Sequence, residues 1–172
     1  ICVFCGSADG LSVTYTYAAY RMGELLAERG IRLVYGAGCT GMMGALAQGA
    51  LAAGGEVIGV VPKGLESPQL IYTSGLTRLE IVEDIQVRKA RMNELGDAFI
   101  ALPGGYGTLD EMFEVLTWSQ IGRHRKPNAF LNTNGYFDHL FEWVQRAYRD
   151  HFIYEEHLDL FVADAEPAGL LE

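Results

Sequence analysis

At 172 residues, 49% apolar and 20% charged, the chain has the size and composition of one ordinary globular domain built on a single hydrophobic core. Its 22 acidic against 13 basic residues give a net charge of -9. That charge repels nucleic-acid phosphates and acidic membrane surfaces, which excludes long polynucleotides as partners but leaves room for a small phosphorylated ligand held by backbone N–H groups. Every apolar stretch is broken by Gly, Pro or a charge well short of the roughly 18 residues a membrane span requires. Three cysteines offer no disulfide framework and favour a reducing cytoplasm.

In chain order, short β-branched or apolar runs alternate with longer helical patterns, the signature of parallel βαβ units. Strands are expected over 1–5, 31–35, 57–61, 79–82, 98–102 and 129–131, and helices over 12–29, 42–53, 85–95, 109–120 and 136–149. The first run has neither a basic segment nor a small-residue cleavage site, so it reads as a strand rather than a signal peptide; without an initiator Met it also reads as a clipped start. It carries Cys2 and Cys5 in a C-x-x-C. Positions three apart on a strand face opposite sides, whereas a redox C-x-x-C opens a helix, so both are read as core. Gly30 closes the first helix and Gly54-Gly55 the second. The run 158–162 is one more candidate strand, followed by the start of a helix.

The expected architecture is therefore a single Rossmann-like domain over 1–172, a doubly wound parallel sheet flanked by helices. Ligands of such sheets bind beyond the carboxyl ends of the strands, near the point where strand order reverses. The segments to consider are 6–9, 36–44, 62 onward, 84–91 and 103–111. The segment 62–77, with Pro62, Gly64, Pro68 and Gly75, is longer than an ordinary connection and reads as the cover of a site or a subunit contact.

Gly36-Ala37-Gly38-Cys39-Thr40-Gly41 matches G-x-G-x-x-G between a strand and a helix, the right local context for a dinucleotide. The acidic residue that should end the following strand and hold a ribose is missing: that strand closes on Val60-Val61-Pro62-Lys63, and Glu56 lies at its wrong end. Pro103-Gly104-Gly105-Tyr106-Gly107-Thr108 is more specific. It follows an apolar strand and opens a periodic helix, where backbone N–H groups converge with the positive end of the dipole and a phosphate is the usual occupant. No Gly-Lys-Ser/Thr follows, so it is not a Walker loop. Thr108-Leu109-Asp110-Glu111 alone is a T-x-x-E capping box, which needs no ligand. Arg88, Lys89 and Arg91, in the first turns of the preceding helix, alter that reading, because cations there oppose the helix dipole and an anionic ligand would offset the cost.

Arg88-Lys89-Ala90-Arg91-Met92 and the stretch from Pro103 to Glu111 resemble the two marks, R-K-x-x-M and P-G-G-x-G-T-x-x-E, of the LONELY GUY cytokinin riboside 5′-monophosphate phosphoribohydrolases. The likeness runs the length of the chain and takes in Cys5-Gly6-Ser7 and the Gly36 to Gly44 turn. Two departures stand out. Ala37 replaces the middle of three glycines, and Ile85-Gln86 stand where the family commonly has Met-His, a change expected to affect contacts to the base and not the catalytic pair.

The resemblance implies hydrolysis of the N-glycosidic bond of AMP, or of AMP substituted on its exocyclic amine, to free base and ribose 5-phosphate. It also implies a homodimer with the site near the subunit interface. Arg88 and Glu111 are then the catalytic residues. An ionised Glu111 suits stabilisation of an oxocarbenium-like ribosyl cation and activation of water, and Arg88, always protonated, suits positioning and charge stabilisation. Phosphate contacts are expected from Gly104, Gly105, Gly107 and Thr108, with Lys89 and Ser7 as further candidates and Gly38 and Gly41 as substrate contacts from the other turn. The helix carrying Met112, Phe113 and Trp118 offers an apolar dimer face, or simply core. No cofactor or metal is expected. Family members have also been labelled lysine decarboxylases, but none of Lys63, Lys89 and Lys126 has the setting of a Schiff-base lysine, and His124, His139, His151 and His157 lack ligand spacing. The competing readings are a non-catalytic nucleotide or molybdenum-cofactor carrier, a dinucleotide-binding protein, and an enzyme acting chiefly as an AMP nucleosidase.

Overall fold

The apolar runs become short strands, the five inner ones buried on both faces, the behaviour of a parallel sheet covered by helices. In the computed structural model, which describes residues 1–172, they are β1 (Cys2–Phe4), β2 (Leu33–Tyr35), β3 (Val57–Pro62), β4 (Arg78–Val82), β5 (Phe99–Ala101), β6 (Asn128–Leu131) and β7 (Val162–Asp164). The helices are α1 (Val13–Glu28), α2 (Gly41–Ala52), α3 (Ile85–Leu95), α4 (Tyr106–Gln120), α5 (Asp138–Arg149) and α6 (Pro167–Leu170). The strands form one seven-stranded sheet in the order β4-β3-β2-β1-β5-β6-β7, with every neighbouring pair parallel. Strand order reverses between β1 and β5, which pair with Cys2 opposite Phe99 and Phe4 opposite Ala101. A crevice therefore opens beyond Phe4 and Ala101, at the position where doubly wound sheets bind ligands.

The sheet divides the core in two. On one face Val3, Cys5, Leu33, Tyr35, Ile100 and Leu131 pack against Met22 and Leu26 of α1 and Met42 and Leu46 of α2. On the other, Cys2, Phe4, Val34, Val60, Phe99 and Phe130 pack against Met92 of α3 and Met112, Val115 and Leu116 of α4. Cys2 and Cys5 thus face opposite sides, as their spacing on a strand requires; burial pushes both thiols well above their ordinary range, and both are core residues. The same division sets α3 and α4 side by side on one face. No helix is long and apolar enough to cross a membrane.

Three elements differ from the sequence expectation. Helix α4 begins at Tyr106 with Gly105 as its N-cap, so Thr108 lies inside the first turn and the capping box does not form. Over 158–162 the backbone makes a 3-10 turn through Leu160, and the last strand, β7, starts only at Val162; Leu160 and Phe161 are apolar because they pack against the α3–α4 side of the core. Helix α5 starts at Asp138, after a 3-10 turn at Thr133–Gly135. The 63–77 segment lies across the strand ends, where Gly38 bridges Ile71, Cys39 N–H donates to the Leu70 carbonyl and Tyr72 N–H to that of Ala37.

Candidate active site

Helices α2, α3 and α4 all begin beside the crevice, and each leaves backbone donors that need partners. At α2 the donors are taken by the chain itself: Met42 N–H donates to the Ala8 carbonyl at 3.3 Å and Met43 N–H to that of Gly6 at 3.2 Å. Gly41, at φ 60, lies so close to the Ser7 carbonyl that a Cβ would collide with it. The G-x-G-x-x-G turn therefore packs against the loop after β1, and its helix offers these donors to no pyrophosphate. At α3, Asp84 Oδ1 accepts from Gln86 N–H at 2.8 Å and Val87 N–H at 2.9 Å, an ordinary N-cap.

Helix α4 differs from both. No side chain caps it, and the N–H groups of Gly104, Gly105, Tyr106, Gly107 and Thr108 have no hydrogen-bond partner in the chain. Gly104 is required by packing, since a Cβ there would strike the Thr108 hydroxyl and come within 2.7 Å of Gly6 N. Gly105 and Gly107 would carry a Cβ into open space, so packing does not explain them. Free donors, open space and the positive end of a 15-residue helix coincide there.

Arg88 of α3 and Glu111 of α4 meet across the gap between these two helices. Arg88 Nη1 donates to Glu111 Oε1 at 2.5 Å and Nε to the Val60 carbonyl at 2.9 Å, with only 11% and 12% of the two side chains exposed. Burial pushes the Glu111 carboxyl above its ordinary value of 4.5, while the charge and hydrogen bond of Arg88 pull the other way. Glu111 Oε2 has no protein partner. Gly36 belongs to the same arrangement: a Cβ there would overlap Arg88 Nη2, so the turn after β2 makes room for the guanidinium.

Two clefts converge here and share Ser7. One, of roughly 280 Å³, is lined by Gly36, Gly38, Met43, Leu65, Ile71 and Arg88 among others, so the 63–77 segment forms part of its apolar wall. The second, of roughly 460 Å³, lies between the loop after β1 and the α4 turn, with Ser7, Gly104, Gly105, Tyr15 and Tyr136 in its lining. The Ser7 hydroxyl is without a protein partner.

A protein-family profile described as "Possible lysine decarboxylase" matches residues 43–172. The chain is 47% identical over 153 residues to a cytokinin riboside 5'-monophosphate phosphoribohydrolase of Arabidopsis thaliana, covering 89% of this chain and 70% of the relative. To one of Rhodococcoides fascians it is also 47% identical over 153 residues, covering 89% and 77%. The chain belongs to this phosphoribohydrolase family. Solved structures extend the likeness of fold alone: a molybdenum cofactor binding protein of Rippkaea orientalis matches with a TM-score of 0.73 over 99% of this chain and 91% of that one, at 22% identity.

Within this member of the phosphoribohydrolase family, several expected contacts fall elsewhere. Lys89 lies outside both clefts, 8% exposed, with its ammonium 2.8 Å from Glu114 and 3.1 Å from Asp110, and these hydrogen bonds hold it charged. It ties α3 to α4 and is not placed to meet a phosphate. Gly41 serves the packing of α2, whereas Gly38 lines the smaller cleft. Met112 is fully buried, leaving Phe113, Trp118 and the almost fully exposed Tyr106 on the outer face of α4. Gly36 and Tyr136 were not singled out from sequence. Gly36 was hidden in a motif that points to another ligand, and the signal for Tyr136 is the Asn134-Gly135 turn just before it, whose residues have φ 56 and 68.

Proposed function

We propose that the chain hydrolyses the N-glycosidic bond of a cytokinin riboside 5′-monophosphate, giving free base and ribose 5-phosphate, and that it does so with Arg88 and Glu111. The observation that carries the reading is the uncapped start of α4, with its free N–H groups, one turn from a buried Arg88–Glu111 pair. The phosphate takes the donors of Gly104 to Thr108, helped by the Thr108 and Ser7 hydroxyls. The apolar side of the smaller cleft, Met43, Leu65, Leu70, Ile71 and Ile85, receives the base and its substituent.

In the reaction the glycosidic bond breaks with its electron pair leaving on the base, and positive charge builds on the ribose. Glu111, whose ionised form Arg88 favours against the effect of its burial, stabilises that charge in a site of low dielectric. Its Oε2 accepts the proton of a water whose oxygen bonds to the anomeric carbon, and an equivalent proton passes through solvent to the departing nitrogen, so that the free base leaves and Glu111 is ionised again. Arg88 is no base; tied to Val60 and Glu111, it holds the carboxylate in place. Binding energy at the remote phosphate orients the ribose, so the unphosphorylated riboside is a poor substrate.

The decarboxylase description fits poorly, because each lysine ammonium is already engaged: Lys63 by Glu83, Lys89 by Asp110 and Glu114, and Lys126 by the carbonyls of Asn93 and Gly96. The proposal extends to a homodimer joined through Tyr106, Leu109, Phe113 and Trp118 on α4, tested by sedimentation of wild type against Tyr106→Glu. The function is tested by incubating wild type and Glu111→Gln with isopentenyladenosine monophosphate, AMP and the matching ribosides. Release of base from the nucleotides by wild type alone supports it; binding of both nucleotides without release of base refutes it in favour of a carrier.

A further inference from the structure

The Gly104-Gly105 peptide of the proposed phosphate site is flanked by a glycine on each side. Two glycines in succession allow its plane to flip at little steric cost, which would turn a donor into a carbonyl facing the anion. One side chain opposes this. Tyr136 reaches from the turn after β6, and its hydroxyl donates to the Gly104 carbonyl at 2.6 Å. A trans peptide points its C=O and the following N–H in opposite directions, so fixing the Gly104 carbonyl on Tyr136 fixes the Gly105 N–H on the other side.

Tyr136 is itself held with unusual care for a residue 45% exposed. Asn134 and Gly135 both adopt left-handed conformations, and Gly135 packs so tightly on the Asp138 carboxylate that a Cβ would collide with it. Asn132 closes the turn, its Oδ1 accepting from Phe137 N–H and its Nδ2 donating to Asp138, both at 2.7 Å. The Tyr136 ring meets Tyr15 edge-on at 5.8 Å and Phe137 edge-on at 5.0 Å.

We infer that Tyr136 is a positioning residue that locks the Gly104-Gly105 peptide in its anion-binding orientation. The inference rests on the phosphate site proposed above. It separates Tyr136 from a packing role, because removing only the hydroxyl leaves the ring, its aromatic neighbours and the turn unchanged.

The test compares wild type, Tyr136→Phe and Tyr136→Trp by three readouts: Kd for ribose 5-phosphate, KM and kcat for a nucleoside monophosphate, and the glycosidase rate on the same nucleoside without phosphate. Loss of one orienting hydrogen bond predicts that Tyr136→Phe weakens ribose 5-phosphate binding and raises KM by roughly 3- to 10-fold. Its kcat stays within twofold, its rate on the nucleoside is unchanged, and the Gly105 amide resonance broadens or moves in a ¹⁵N-labelled sample. Tyr136→Trp, which keeps bulk but misplaces the donor, behaves like Tyr136→Phe. Unchanged Kd and KM in Tyr136→Phe would overturn the inference, as would an equal loss on nucleotide and nucleoside. If wild type neither binds ribose 5-phosphate nor releases base, it is the phosphate-site reading that fails, and the two failures are distinct.

Discussion

Helices α3 and α4 lie on the same face of the sheet and supply the two halves of one ion pair, yet they treat their N-terminal donors in opposite ways. Asp84 caps α3 from within the chain, whereas α4 starts on Gly105 and leaves its first amides unpaired. A side-chain N-cap is worth about 1 kcal/mol over Ala and a few tenths over Gly, so a helix that starts on Gly forgoes a little stability it could have had. Helix α2 sharpens the contrast, since its turn has the more familiar glycine motif but donates its amides to the carbonyls of Gly6 and Ala8. Motif spacing does not distinguish a donor that is free from one that is spent; the hydrogen-bond partners do.

The largest expected effect lies at the residue to which α4 delivers the bound ribose. Glu111→Gln should lower kcat by about 100- to 10,000-fold, the range typical for loss of a general base, with nucleotide Kd changed little. Its stability should not fall through the lost charge. The folded state raises the Glu111 pKa, so it holds the proton more tightly than the unfolded chain; stability declines as pH rises through that raised value and the penalty persists above it. A neutral Gln escapes this penalty and still accepts from Arg88. A melting-temperature comparison at pH 7 checks the point, and a drop of more than a few degrees would contradict it.

Next in size is a direct conversion of one helix start into the other. Gly105 has φ -97 and no neighbour within reach of a Cβ, so Gly105→Asp is sterically free to cap α4 as Asp84 caps α3. The variant should gain a few tenths of a kcal/mol in stability, the difference between Gly and Asp at an N-cap. Because its carboxylate occupies the amides and repels phosphate, KM for the nucleotide should rise about 10- to 100-fold. A variant that gains stability and keeps its KM would break the comparison.

A smaller effect separates the pair's two members by pH. Activity that depends on ionised Glu111 is lost as pH falls through its folded pKa, above 4.5, and Arg88 is the main force lowering that value. Arg88→Gln should therefore move the acid limb of the kcat/KM profile upward, in addition to lowering its plateau; an unmoved limb would show that Glu111 is not the titrating group. The smallest effect belongs at α3. Asp84→Ala should cost about 1 kcal/mol of stability and leave ribose 5-phosphate affinity within twofold, as urea unfolding and calorimetry would show.

The sheet was legible because its strands and helices alternate by local pattern, and the crevice followed from where the order reverses between β1 and β5. Arg88 and Glu111 were legible through their motifs, and their meeting is a consequence of α3 and α4 sharing a face. What escaped was non-local. The capping box at Thr108 was misread because T-x-x-E has the same letters whether the helix starts at residue 106 or 109, and the free amides of Gly104 and Gly105 decide between them only in three dimensions. Lys89 looked like a phosphate ligand because Asp110 and Glu114, its partners, lie on another helix. The strand expected over 158–162 moved because apolar side chains there serve a 3-10 turn packed on the core. Tyr136 could not be found from Gly104, 32 positions away.

The central claim is that the chain reserves the start of α4, and not those of α2 and α3, for a phosphate. It is tested most directly by titrating inorganic phosphate into the ¹⁵N-labelled protein and following backbone amides. The account predicts saturable shifts at Gly105, Tyr106, Gly107 and Thr108, with Gln86, Val87, Met42 and Met43 unmoved. Shifts of Met42 and Met43 equal to or larger than those of the α4 amides, or no saturable shift in the α4 turn, would contradict it.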